Sequence, residues 1–271
     1  MLFLYLYIFV QIFLESFPVS SSGHIALLQL CHSFLYPSST TAFSTYISTH
    51  VGVDQNSFDA LLHASTLIIL FFFFFTRWFF LLRHPWRCRF IIAKLLSYIF
   101  VSTAIALAFY FVFHIQDWAL PLGIGFLITA CTAFSLRRCP QGTGSLTLSS
   151  SFIVGVVQAV ALLPGISRLG TTYAVSRWLG ISNRRSFEIS FLIQAPLILA
   201  AFAKSALVLM NEHCLGQILN LPIVLVMMMA TGAAWYGLRL SAYTAIHNYW
   251  WYFALYMMLP LGIWLVLIFI A

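Results

Sequence analysis

Long apolar runs broken by short polar stretches set the pattern of this chain. The first run, MLFLYLYIFVQIFL, ends in Glu15-Ser16-Phe17-Pro18-Val19-Ser20-Ser21-Ser22-Gly23-His24, and apolar character resumes over 25–36. Neither arm reaches the roughly 20 residues that a membrane-crossing helix needs. Two short arms around a hydroxyl-rich tip predict a re-entrant hairpin, because irregular backbone at membrane depth is tolerated only against protein or a water-filled cavity. Residues 37–57 are rich in Ser and Thr and read as an exposed loop. Apolar runs at 58–76, 95–116 and 119–136 predict three spans, the last two joined through Asp117-Trp118. Residues 152–180 repeat the opening pattern, with Pro164-Gly165-Ile166-Ser167-Arg168-Leu169-Gly170-Thr171-Thr172 as the polar tip. Runs at 187–210, 221–240 and 250–271 predict three further spans. The run Phe71 to Phe75 reads as lipid-facing surface, and Trp78, Trp118, Tyr249, Trp250 and Trp251 read as interfacial anchors.

Composition fixes the class. Hydrophobic residues make up 62% and charged residues 7% of the 271, whereas a soluble domain is about a quarter charged. The expectation is an all-α polytopic membrane protein of six transmembrane helices plus two re-entrant helical hairpins. The net charge of +7 does not argue for nucleic acid. Arg77, Arg83, Arg87, Arg89 and Lys94 gather between two runs, and Arg137 and Arg138 open the linker 137–151, as cytoplasmic loops do. Arg184 and Arg185 stay on that same side only if 152–180 turns back rather than crosses. The first hairpin then enters from outside and the second from inside, with Glu212 outside and Arg239 inside. Lys204 is left within a span, where a long basic side chain snorkels towards the interface. Residues 1–271 form one integral membrane domain, 1–136 and 152–271 being copies of opposite topology. In such inverted repeats the ligand site lies where broken helices meet near the midplane. Weak internal similarity agrees: Gln11 precedes Pro18 by seven residues and Gln158 precedes Pro164 by six, and Phe58-Asp59 and Phe187-Glu188 open the spans that follow. Five scattered cysteines without a CxxC pair argue against zinc or a disulfide framework. The N-terminus has no basic leader region or small-residue cleavage site, so it reads as part of the mature chain.

Polar groups at membrane depth are costly and mark function by default. Gln11 and Glu15, four apart, share a helix face; by themselves they would as readily be a packing pair. Ser20, Ser21, Ser22 and Gly23 offer hydroxyls and N–H groups at a chain reversal, the way proteins cradle phosphate, or equally a polar helix cap. His24 supplies a base or nucleophile near neutral pH, and a serine beside a histidine is a recurrent nucleophile arrangement. Arg168 costs roughly 2.5–3.5 kcal/mol in a lipid-embedded helix. A phosphate would offset that cost, since guanidinium binds phosphate bidentately; an ion pair with Glu15 would do so too. Asp59 and His63, again four apart, read as a buried hydrogen-bonded pair.

These residues resemble a known family. QxxxE running into FPVSSSGH, followed by PGISRLGTT, is similar to the bacterial undecaprenyl-diphosphate phosphatase family, also known for bacitracin resistance. The resemblance implies a hydrolase in the bacterial cytoplasmic (inner) membrane, with its site facing the outer side. It implies cleavage of a C55 polyprenyl diphosphate to the monophosphate carrier lipid of peptidoglycan synthesis. It also implies a divalent cation, magnesium or calcium, with Glu15 and Gln11 as the metal-binding positions. Ser21, His24, Glu15 and Arg168 match the catalytic positions, and Ser20, Ser22, Gly23, Ser167, Gly170 and Thr172 the phosphate-binding ones. Leu169 stands where a serine is usual, Gln11 where many members have glutamate, Ser16 where phenylalanine is usual, and His63 where glutamine would be. A homodimer is compatible with this reading. Two rival classes remain: a secondary transporter or polyprenyl-phosphate flippase, and a membrane scaffold with a degenerate site.

Overall fold

The computed structural model describes residues 2–35, 45, 54–114, 120–211 and 220–270, and among these the chain is helical throughout. Most of the loop expected over 37–57, the Asp117-Trp118 turn and Glu212 lie outside the described residues.

The first apolar arm is α1 (Leu2–Leu14), and its partner α2 (Ser21–Leu35) starts inside the polar motif rather than after it. Then come α3 (Gln55–Phe73), a short α4 (Phe75–Arg83), α5 (Pro85–Val112) and α6 (Leu122–Ser135). The second hairpin is α7 (Leu148–Val160) and α8 (Arg168–Trp178), followed by α9 (Asn183–Asn211), α10 (Leu221–Ile246) and α11 (Tyr252–Ile270). Five of these, α3, α5, α9, α10 and α11, are long and apolar enough to cross a membrane. The sixth expected span, 119–136, forms the 14-residue α6, about 21 Å long at 1.5 Å per residue and so shorter than a hydrocarbon core of about 30 Å. The basic cluster sits on helices rather than in a loop: Arg83 closes α4, and Arg87, Arg89 and Lys94 lie in the first turns of α5.

Packing exchanges partners between the halves. The first arm of each hairpin lies on a long helix of the other half, α1 on α10 and α7 on α5. Like helices also pair, α3 on α9 and α6 on α11. Glycine permits close approach between α7 and α5: a Cβ on Gly155 of α7 would stand 2.7 Å from the Ser102 carbonyl oxygen of α5. The main core joins Leu4, Ile8 and Ile12 of α1 to Phe58 and Leu62 of α3, Phe187 and Phe191 of α9, and Ala234 and Leu238 of α10.

Two expectations about aromatic residues need correction. Trp250 is not an interfacial anchor: it is 1% exposed, donates Nε1–H to the Ser241 carbonyl at 2.9 Å, and packs on Tyr173. The phenylalanine run is not all lipid-facing. Phe71, Phe72 and Phe75 are exposed, but Phe74 is buried and Phe73 packs on Phe187 and Trp235. Successive helical residues point about 100° apart, so five in a row sweep every face.

Candidate active site

Both hairpins build their tips with one local device. Ser20 caps α2: its Oγ accepts from the Gly23 N–H at 3.1 Å and its carbonyl from the His24 N–H at 3.0 Å. Ser167 caps α8 in the same way, its Oγ accepting from the Gly170 N–H at 3.0 Å and its carbonyl from the Thr171 N–H at 2.9 Å. A serine cap satisfies one of the donors that every helix start leaves unpaired. The glycine three residues on has a different task. A Cβ on Gly23 would stand 2.7 Å from Gly165 Cα, and one on Gly170 would stand 3.0 Å from the Pro18 carbonyl oxygen. Each helix start is therefore seated against the other hairpin's tip, and the contact is reciprocal. Gly165 itself has φ +86°, a conformation that favours glycine. Thr129 of α6 locks this tip from outside the hairpins, donating Oγ1–H to the Gly165 carbonyl at 2.8 Å and accepting the Ser167 N–H at 2.9 Å.

A cavity of about 330 Å³ opens at this junction. Glu15, Ser20, Ser21, Ser22, Ser167 and Arg168 line it. Two helix N-termini thus converge on one space, and each carries a partial positive charge suited to an anion. Arg168 is the first residue of α8, so its guanidinium adds to the positive end of that helix. Among the described residues no carboxylate lies within 4.0 Å of it. The direct Arg168–Glu15 pair that the sequence allowed is not formed. Glu15 is held instead by α3: His63 Nδ1 stands 2.7 Å from its Oε1 and 2.9 Å from its Oε2, and the Thr66 hydroxyl donates to Oε2. The opposite wall is apolar, with Leu107 and Phe111 of α5 and Leu197 and Ala201 of α9. Leu107 and Phe111 are exposed, so this apolar wall is open rather than sealed.

The remaining expected site residues fall around the cavity rather than on it. Gly23 and Gly170 serve the hairpin contact, and the Thr172 hydroxyl donates back to the Arg168 carbonyl at 2.7 Å. His24 faces α11: Nδ1 lies 2.6 Å from the Ser20 carbonyl and Nε2 lies 3.1 Å from the Tyr256 hydroxyl. Its ring stacks on Tyr256 and meets the edge of Phe126. Gln11 is buried, and among the described residues its Oε1 has no hydrogen-bond partner.

Sequence reasoning read His63 as a partner of Asp59 and passed over Thr66 and Gln194. His63 and Gln194 line the cavity, and Thr66 bonds the carboxylate. Asp59 and His63 are not a pair: the Tyr7 hydroxyl donates to Asp59 while His63 goes to Glu15. The signal was His63 standing at a polar position on the span directly after the motif. Arg177 was missed as well. It is 1% exposed and clamps the linker, donating Nη2–H to the Pro140 carbonyl and Nη1–H to the Ile181 carbonyl, each at 2.6 Å.

The donor set can be tested against a divalent cation. Among the described residues no three His, Cys, Asp or Glu side chains cluster. A closed protein cage for a metal is therefore not built here. The buried Gln11 oxygen, one turn along the chain from Glu15 and without a partner among the described residues, is the type of donor that an ion such as magnesium takes beside a carboxylate, with phosphate oxygens and water completing its shell.

Comparison with known proteins places the chain among relatives of one name. A protein of Treponema denticola called undecaprenyl-diphosphatase is 27% identical over 94% of this chain and 92% of its own length. One of the same name from Korarchaeum cryptofilum is 31% identical over 78% of each chain, and one from Carboxydothermus hydrogenoformans is 30% identical over 71% of this chain and 68% of its own. The family profile described as bacitracin resistance protein BacA matches residues 6–264, which takes in both hairpins, their shared cavity and the helices that wall it, and the chain belongs to that family.

Proposed function

We propose that the chain hydrolyses a polyprenyl diphosphate to the monophosphate and inorganic phosphate. The observation that carries this reading is the shared cavity: Arg168 and two helix starts on one wall, exposed apolar residues on the other. A diphosphate headgroup suits the first wall and a prenyl tail the second. The three relatives named above carry a name for this activity.

Phosphoryl transfer passes through a loose transition state that is catalysed mainly by positioning and charge stabilisation. Arg168 and the N–H groups at the starts of α2 and α8 receive the phosphate oxygens. The Ser21 hydroxyl lines the cavity and attacks the terminal phosphorus. The Oγ–P bond forms, the bridging P–O bond breaks, and the prenyl monophosphate leaves. Water then cleaves the phosphoserine to release phosphate. The imidazole sharing the cavity with Ser21 is His63: with Nδ1 donating to Glu15, its Nε2 is the acceptor for the serine proton, the logic of an oriented base. His24 braces the start of α2 against α11. Glu15 and Gln11 would hold a divalent cation, which would neutralise charge on the phosphate oxygens when bound.

The two halves form an inverted repeat, a reading supported by the exchanged packing and the reciprocal glycine contacts. The site faces the outer side of the cytoplasmic membrane: Leu107 and Phe111 lie at the end of α5 remote from Arg87 and Arg89. The roles of the imidazoles are tested by trapping with substrate labelled in the terminal phosphate. His24→Ala should still give labelled serine, whereas His63→Ala, which removes the ring and its bond to Glu15, should slow its formation about 10²–10⁴-fold, the usual worth of a positioned base. Label on His24 in the wild type would overturn the assignment. Movement of substrate across liposomes without phosphate release would favour a flippase instead.

A further inference from the structure

A second and larger cavity, about 600 Å³, lies at the basic end of the bundle between α4, α5, α9 and the 145–146 segment. Its floor is apolar, including Phe74, Leu146 and Ile189. Two cations from different helices stand on its rim, Lys94 and Arg185, both exposed. Its single acid among the described residues, Glu188, accepts from Arg184 at 3.3 Å. Among the described residues neither Lys94 nor Arg185 has a carboxylate within ion-pair distance. The hydroxyls of Thr76 and Ser145 complete the lining.

The depth of the rim fits a lipid headgroup. At 28 and 29 residues α5 and α9 are about 42–44 Å long at 1.5 Å per residue, which exceeds a hydrocarbon core of about 30 Å. Their first turns can therefore project into the headgroup layer, and Arg185 lies three residues into α9 and Lys94 ten into α5. Basic pockets between transmembrane helices on the cytoplasmic side are the usual seats of anionic headgroups.

We infer that this cavity holds an anionic glycerophospholipid, its phosphate between Lys94 and Arg185 and an acyl chain on the floor. The two rim cations match the phosphodiester, and the hydroxyls of Thr76 and Ser145 match a hydroxyl-bearing headgroup. The site is separate from the hairpin cavity: the two have no lining residue in common.

The test is a titration of purified protein in detergent with phosphatidylglycerol or phosphatidylcholine, read as bound lipid by native mass spectrometry. Phosphatidylglycerol should bind and phosphatidylcholine should not. The double variant Lys94→Ala/Arg185→Ala should weaken binding about 30-fold, taking about fivefold per cation near the surface. Ile189→Trp, which fills the floor and keeps the cations, should also abolish it, while Arg168→Ala should bind as the wild type does. Equal binding of both lipids would overturn the proposal, as would undiminished phosphatidylglycerol binding in the double variant or in Ile189→Trp. Displacement of phosphatidylglycerol by a polyprenyl monophosphate at equal concentration would assign the cavity to the prenyl lipid and overturn the phospholipid assignment.

Discussion

Arg168 is placed where no ordinary structural argument would put it. A guanidinium at the positive end of a helix is disfavoured by the macrodipole, and here no carboxylate lies within ion-pair distance among the described residues. An anion in the cavity resolves both problems. Arg168→Lys keeps the charge but loses the bidentate fork, so phosphate release should fall at least about tenfold, with little change in thermal stability. Thr129 carries the opposite kind of role. Thr129→Val leaves the Gly165 carbonyl and the Ser167 N–H without partners, at about 1–3 kcal/mol for each buried group. A denaturation midpoint lowered accordingly, together with lost activity, is the expected outcome. Asp54 supplies a pH effect away from the cavity. It caps α3 by accepting from the Ser57 N–H at 3.1 Å, and the Ser57 hydrogen bonds hold its carboxyl below the usual range. A lowered carboxylate contributes stability that is full above its unfolded value near 3.9 and is lost as pH falls through the folded value. Asp54→Asn should therefore lower stability near neutrality and flatten the acid limb of the profile, the two proteins converging at low pH.

At the scale of elements, the hairpins are the unit that matters, and glycine sets how closely they meet. A Cβ on Gly23 would stand 2.7 Å from Gly165 Cα, a backbone atom that cannot swing aside. Gly23→Ala should push the tips apart at a cost of about 1–3 kcal/mol. Activity should fall further than stability, because Arg168 and Ser21 sit on opposite sides of that contact. The measurement is phosphate release set against the melting temperature of the same variant. The hairpins were legible in the sequence because their signal is one of composition, short apolar arms around a polar tip. What was not legible was side-chain direction. Periodicity shows that Asp59 and His63 share a face, but not that Tyr7 takes the first and Glu15 the second. Trp250 sits in a cluster of aromatic residues at a span start that imitates an interfacial belt, and only the packing of Tyr173 and Phe187 around it reveals a core residue. Gly23 read as a phosphate donor because a glycine beside serines is ambiguous between anion binding and close packing.

At the scale of the molecule, the fold holds a charged pocket in a hydrophobic bundle by having each half complete the other. The first arm of each hairpin packs on the partner half, and each helix start is seated against the opposite tip. The class follows from composition, because so few charges cannot build a water-facing surface, and the family from the resemblance of the two motifs. The length of α6 did not follow: residues 119–136 read as one apolar run, and the described α-helix within it is 14 residues long. Arg177 was invisible for a related reason: as one more arginine in a basic protein it gave no sign of being buried against the Cys139 and Pro140 carbonyls. Arg177→Ala should loosen the linker from α8 and α9 and lower thermal stability by a few degrees or more, with the remaining folded fraction fully active. Thermal denaturation and activity per folded molecule check both parts.

The central claim is that the two hairpins jointly make a diphosphate-cleaving site. Phosphate release from a polyprenyl diphosphate by purified protein in detergent tests it most directly, with wild type, Glu15→Ala and Arg168→Ala compared in magnesium or calcium and after chelation. The account predicts release by wild type that depends on the cation and loss of at least about 10²-fold when either charged group is removed, in line with groups that stabilise transition-state charge. Release that survives in Arg168→Ala, or a folded wild type that releases none, would contradict it.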